Sequence, residues 1–244
     1  MLGIVGFLVS LAIALGLGYA IARKILGPQA AQRNVLYSAP WLVLGALLPL
    51  ILSAVGRYGL VILYALYAVG VLLWLLSWPL RKRAAGTLLL EVGPTVQNRL
   101  LFWVGLLQVG IAIAMTIPLW DQFTGPFVTT GNIVSGIIKL SFWWIIALLF
   151  IALGRSKLEI RENGLAYLYS WQPWERIQAF GWDDDKPETL ILKAIPRTFF
   201  SRRYLTLSIP KQSQPQVDAL LEDYLLERDL AAEMDGEETQ TAES

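Results

Sequence analysis

Five long apolar runs fill the first two thirds of the chain, and a shorter pattern of period two follows. The runs lie near 2–22, 36–55, 60–80, 100–119 and 133–153. About 20 apolar residues at ~1.5 Å each cross the ~30 Å hydrocarbon layer of a bilayer, so each run predicts a transmembrane helix. The first ends at Arg23 and Lys24. A secretory signal carries its cations before the apolar stretch, so this run predicts a retained helix with its N-terminus outside. Runs two and three form a hairpin around Gly56, Arg57, Tyr58 and Gly59. Ser38 would cap the second helix, with Pro40 in its first turn. Pro49 would kink it.

Between the third and fourth runs, Thr87 to Val92 is strand-like and Gly93-Pro94 ends it. This segment either adds a strand to the domain that follows or lies on the membrane surface. After Arg155 the period becomes two. Leu158 to Arg161 alternates, Asn163-Gly164 predicts a type I′ hairpin turn, and Leu165 to Tyr169 is the return strand. Strands over 174–182, 189–195 and 203–209 follow. Ser213, Pro215 and Gln216 fit a capping box, and Val217, Leu220, Leu221, Tyr224 and Leu225 form the apolar stripe of a helix. The predicted fold class is a mainly α membrane protein of about five transmembrane helices, with a small antiparallel β-sheet domain capped by a C-terminal helix. Residues 1–154 form the membrane part, 155–230 the sheet domain, and 231–244 a disordered acidic tail.

Composition sharpens this division. Charged residues make up only 16% of the chain, below the ~25% of ordinary soluble domains. Residues 1–154 carry nine Lys or Arg and two acids; residues 155–244 carry eleven and seventeen. One set of interhelical loops holds Arg23, Lys24, Arg33, Arg81, Lys82, Arg83, Arg99, Arg155 and Lys157, and the other holds Arg57. The positive-inside rule then places the N-terminus outside and the sheet domain in the cytoplasm. Trp41, Trp78 and Trp120 fall near helix ends, where their rings suit the interface. An acidic soluble part argues against nucleic acid. Absence of Cys and His excludes thiol nucleophiles, Cys/His metal sites and His general bases, and no cofactor is expected.

Polar residues inside the runs are candidates for intramembrane chemistry. Lys139 is either an ion or substrate site or a lysine that snorkels to the interface. Gln108 favours an interhelical hydrogen bond over a ligand contact. Gly110 and Ala114 offer a close-packing face. In the sheet domain, Asp183, Asp184 and Asp185 are expected in a solvated turn, because successive strand residues alternate faces and do not converge on one ion. Trp171, Trp174 and Trp182 are expected in the core rather than on a ligand surface. The loop over 197–203 joins Arg197, Phe199, Phe200, Arg202 and Arg203, a combination suited to anionic headgroups, a partner surface or a plain hairpin.

Five meandering strands closed by one amphipathic helix resemble a pleckstrin-homology-like domain. The resemblance rests on Ile160-x-Glu162-x-Gly164-Leu165, Trp174-x-x-Ile177, Phe180-x-Trp182, Leu190-x-Leu192 and Leu205-x-Leu207-x-Ile209-Pro210. It covers roughly 155–228, and in general layout the whole chain resembles uncharacterised multi-pass membrane proteins of photosynthetic bacteria, which implies the plasma membrane or an internal photosynthetic membrane. A full domain of that fold has seven strands, two more than the pattern here supplies. The resemblance implies binding or scaffolding rather than catalysis, with membrane lipids and a cytoplasmic protein as partners. A non-enzymatic adaptor or assembly factor is the expected function. A small transporter or channel component using Lys139 and Gln108 is the alternative, although internal repeats and paired broken helices are missing.

Overall fold

The computed structural model describes residues 12–13, 15–24, 27–28, 31–32, 35, 43–45, 47–48, 52, 56, 58–124, 129–184, 186–196 and 203–225. The expected tail at 231–244 lies outside them, as do Arg197, Phe199, Phe200, Arg202 and most of the expected helix at 36–55. Within the first run, residues 15–24 are helical.

Three helices among the described residues are long and apolar enough to cross a membrane: Gly59–Ala84, Val96–Trp120 and Thr130–Arg155. This is compatible with an integral membrane protein. The first is broken near its end into α1 (Gly59–Leu76) and α2 (Trp78–Ala84). Pro79 lacks an N–H and interrupts the ladder. Next to the break, the Trp74 carbonyl accepts from the Ser77 hydroxyl, at 2.9 Å, and from the Arg81 guanidinium. The other two helices, α3 (Val96–Thr124) and α4 (Thr130–Arg155), form an antiparallel pair. Thr129 caps α4 by accepting from the Asn132 N–H.

Small residues set the α3–α4 spacing, because lipid supplies no hydrophobic drive and close backbone packing must hold such helices. A Cβ on Gly105 would lie 2.8 Å from the Ile151 nitrogen, and one on Gly154 would lie 2.5 Å from Phe102 Cα. Ala112 and Ala147 are buried in the same seam. Gly110 has open space around it and Ala114 is exposed, so the expected Gly110/Ala114 face is not the packing face. At 3.6 residues per turn, Gly105 and Ala112 share one side of α3 and Gly110 lies across from it. Exposed Trp103 and Trp120 sit about 25 Å apart along α3 at helical rise, a spacing that suits two interfacial belts.

Among the described residues the sheet domain has seven strands in two antiparallel sheets. One sheet has the order β1 (Leu88–Gly93), β2 (Leu158–Arg161), β3 (Gly164–Tyr167), β4 (Ser170–Pro173); the other has β5 (Ile177–Trp182), β6 (Thr189–Ala194), β7 (Tyr204–Ser208). Residues 214–225 form the closing helix, α5. The strand-like segment before α3 therefore joins the domain, and Leu90 pairs with Ile160. Since β1 and β2 are adjacent and antiparallel, the connection between them is the whole α3–α4 pair. The helical hairpin is inserted into the sheet domain.

Two local expectations change. Trp174 begins a 3-10 turn, Trp174–Arg176, rather than a strand, and β4 precedes it. Glu162 and Asn163 do not take positive φ, so theirs is not a type I′ turn; the positive pair is Leu168 (φ 47) and Tyr169 (φ 57), between β3 and β4. Two consecutive left-handed non-glycine residues cost roughly 1–2 kcal/mol each, which tertiary contacts must offset. Between the sheets lies a core of Val92, Leu158, Ile160, Leu165, Ile177, Leu190, Leu192 and Leu207. Val217 and Leu221 of α5 enter it fully, while Leu220, Tyr224 and Leu225 pack at its rim, as their spacing predicts. Ser213 ends a 3-10 turn, Lys211–Ser213, that runs straight into α5.

Candidate functional site: the junction between helices and sheets

Hydrogen bonds and ion pairs between the helix ends and the sheet domain concentrate in three clusters. The first surrounds Arg81 on α2. Its guanidinium carbon lies 5.1 Å from the Trp74 ring centre and 5.6 Å from that of Trp78. Its Nη1 donates to the Tyr169 carbonyl at 2.8 Å, and the Tyr169 ring packs 5.3 Å from Trp78. The cation therefore links α1, α2 and the strained β3–β4 turn. Desolvated cation–π contacts contribute about 2 kcal/mol or more, enough to offset much of the strain.

The second cluster is polar and buried. Thr95 and Asn98 cap α3 reciprocally: Thr95 N–H donates to Asn98 Oδ1 at 3.0 Å, and Asn98 N–H donates to Thr95 Oγ1 at 3.3 Å. Asn98, fully buried, also donates from Nδ2 to the Leu153 carbonyl near the end of α4. Tyr167 of β3 donates to Gln97 Oε1 at 2.7 Å and lies 2.8 Å from Thr95 Oγ1. Gln97 Nε2 donates to the Thr206 carbonyl of β7. Burial pushes the Tyr167 phenol up to about 12, against a smaller downward pull from the Thr95 hydrogen bond. Both sheets and both helices of the inserted hairpin thus meet in one network. Its sequence signal was Thr95-x-x-Asn98 after Gly93-Pro94, a capping box with Asn in the usual Glu position.

The third cluster is ionic. Glu159 of β2 is 8% exposed and pairs with Lys82 of α2 and Arg161, each at 2.7 Å. Burial alone would raise the Glu159 pKa, but hydrogen bonds from Lys82 and Arg161 outweigh it and hold the carboxyl below its ordinary range. Arg161 Nη1 also donates to the Gly86 carbonyl, and Glu162 accepts from the Thr87 N–H and hydroxyl. An open cleft of about 520 Å³ lies here, lined by Pro79, Lys82, Arg83, Gly86, Arg161 and Glu162. On another edge of the domain, Lys186 donates to the Lys24 carbonyl at the end of helical residues 15–24, and Gly27 lies against Asp183. Asp183 is therefore buried rather than solvated, while Asp184 is exposed and Asp185 lies outside the described residues.

The residues singled out in the sequence fall elsewhere. Arg203, the described member of the 197–203 loop, is exposed beside β7, and its carbonyl accepts from the Ala194 N–H. That hairpin lies at the opposite end of its sheet from the 183–187 loop that meets Lys24. Lys139 is half-buried on α4. Gln108 lies on the same side of α3 as Gly105 and Ala112, and its Nε2 is buried without a hydrogen-bond partner among the described residues. Trp174 is buried, donates to the Arg161 and Glu162 carbonyls and stacks on Tyr224 at 4.9 Å. Trp171 and Trp182 are half-buried. No group of His, Cys, Asp or Glu able to hold a metal occurs among the described residues.

Residues 156–226 match a family model described as a domain of unknown function (DUF5673). No curated protein and no solved structure matches the chain. The matched span begins just after α4 and leaves out β1, which the fold places beside β2.

Proposed function

We propose that the chain is a non-enzymatic, membrane-anchored adaptor or assembly factor, whose pleckstrin-homology-like domain faces the cytoplasm and binds a protein or lipid partner. The insertion of α3–α4 between β1 and β2 carries this reading. A domain on a flexible tether would sample many orientations, whereas one closed around a helical hairpin presents fixed surfaces at a fixed height above the bilayer. Seven antiparallel strands, divided four and three and closed by α5, support the fold assignment. β1 and β4 supply the two strands that the sequence pattern lacks. The cluster of cations at the helix ends favours anionic headgroups on that side of the domain. Cross-linking in native membranes followed by affinity capture of the full chain tests the reading. A reproducible protein partner, lost when exposed positions of β5 are changed, is the expected result; capture of the chain alone, with no lipid preference, would overturn it.

A second reading, a small transporter or channel component, is favoured by one observation: the Gln108 amide buried in the helix seam without a partner among the described residues. It requires that Gln108→Leu or Lys139→Gln abolish an ion or solute flux in reconstituted vesicles while the protein remains folded.

A further inference from the structure

We propose that the cleft between α2 and the β2–β3 hairpin holds the phosphate of an anionic membrane lipid. This deepens the adaptor reading by naming a lipid site, and it rests on that reading's placement of the helices in a bilayer. The cleft is lined by three cations, Lys82, Arg83 and Arg161, and one carboxylate, Glu162, while Glu159 pairs with two of those cations. The carboxylates are already engaged from within the protein. Glu159 is held between Lys82 and Arg161, and Glu162 accepts from Thr87. Arg83 is different: its side chain is exposed at the cleft, and none of the described carboxylates pairs with it. The cleft therefore keeps an excess positive charge with a fork of donors directed to solvent, the arrangement that suits a phosphate.

The surroundings select a lipid over a soluble phosphate. The cleft sits at the last turn of a helix long and apolar enough to span a bilayer, where headgroups lie. Leu76 and Leu80, 73% and 67% exposed, lead up the helix to it. Leu88 and Leu89, successive residues of edge strand β1, are also exposed beside it. The pairing of β1 with β2 shifts register across Leu89, and two consecutive exposed leucines on a soluble edge would leave apolar area in water and offer an aggregation-prone strand. A lipid with its phosphate at Arg83 and its chains beside Leu76 and Leu80 covers this surface and shields the edge. Trp78, on the same short helix, supplies the interfacial ring.

The test is native mass spectrometry of the purified full chain, titrated separately with phosphatidylglycerol, phosphatidylcholine and inorganic phosphate. Phosphatidylglycerol is expected to bind at least about fivefold more tightly than phosphatidylcholine, with the preference falling as salt rises, and Arg83→Gln should remove most of it, since one cation at an anionic surface is worth about that factor. Lys193→Gln, which removes an exposed cation on β6, should leave it unchanged. Equal binding of the two lipids, or a preference that survives Arg83→Gln, would overturn the site. Displacement of phosphatidylglycerol by millimolar inorganic phosphate would overturn the lipid source. Arg83→Gln leaves the buried pairs of Glu159 intact, so loss of binding would not reflect misfolding. Failure here with a protein partner still captured sinks the cleft alone; capture of no partner together with no preference for any lipid sinks the adaptor reading as well.

Discussion

At the residue scale, Tyr167 shows why the junction is a single unit. Its hydroxyl lies between Thr95, which caps α3, and Gln97, which reaches β7. Ionising it would place a charge where donors are scarce. Its pKa is raised to about 12, whereas an unfolded chain would titrate near 10. Because the folded value is the higher, stability is unaffected below about pH 10 and falls as pH rises from 10 through 12, by up to about 2–3 kcal/mol. Melting temperature in detergent, measured across that window, should decline in the parent. Tyr167→Phe should be less stable by about 1–3 kcal/mol at neutral pH, because Gln97 and Thr95 lose a buried partner. Its further decline above pH 10 should be shallower; a slope equal to the parent's would remove Tyr167 from the network. Glu159 behaves oppositely. Its folded pKa is depressed, so its contribution is present above the usual carboxylate value and disappears as pH falls through the folded one. Glu159→Gln should therefore flatten the acid limb of the same curve while leaving the alkaline limb as it was.

At the element scale, the sheet domain is discontinuous in sequence, and this sets what can be cut from the chain. A fragment spanning 156–226 lacks β1, so it removes Val92 from the core and turns β2, whose Ile160 is fully buried, into an open edge. Such a fragment should aggregate or show poorly dispersed amide resonances, and a version with 88–93 joined ahead of β2 by a short linker should fold. Equal melting of the two would mean that β1 is dispensable. In the full chain, Leu221→Ala should cost about 2–5 kcal/mol and speed amide exchange across α5, since the side chain is wholly buried between the helix and both sheets. These elements were unequally legible in the sequence. The stripe on α5 was plain, because its period of 3.6 is local. Strands β2, β3 and β6 showed in their apolar runs. β1 has two possible fates in the sequence, since its partner lies beyond two helices, and pairing across about 65 residues leaves no local trace. β4 was hidden because Leu168 and Tyr169 carry none of the Gly or Asn chemistry that marks a type I′ turn; contacts with Arg81, Trp74 and Trp78 take its place. The junction itself was missed for the same reason. Its residues are ordinary one by one and gain meaning only when the helix ends and sheets meet.

At the scale of the whole molecule, those contacts constrain sidedness. The Lys24 carbonyl meets Lys186, Arg81 meets Tyr169, and Asn98 meets the end of α4 while Gln97 meets β7. The ends of helical residues 15–24, of the 59–84 span and of α4, and the start of α3, all lie against the sheet domain. Arg23, Lys24, Arg81, Lys82, Arg83, Arg99, Arg155 and Lys157 fall at or beside these same ends. If each span crosses one bilayer, the domain and these cations share a side, and the start of α4 lies on the other. The positive-inside rule would make the cation-rich side cytoplasmic, because loops bearing Lys and Arg resist translocation. The chain contains no cysteine, so single cysteines report position without background. Arg83→Cys and Lys193→Cys should label with a membrane-impermeant maleimide only after the membrane is opened, and Thr130→Cys, exposed at the start of α4, should label in intact cells. Labelling of all three in intact cells, or the reverse pattern, would contradict a cytoplasmic domain. Opposite behaviour of Arg83→Cys and Lys193→Cys would go further, since no single bilayer could then lie between a helix end and the sheet that it is bonded to.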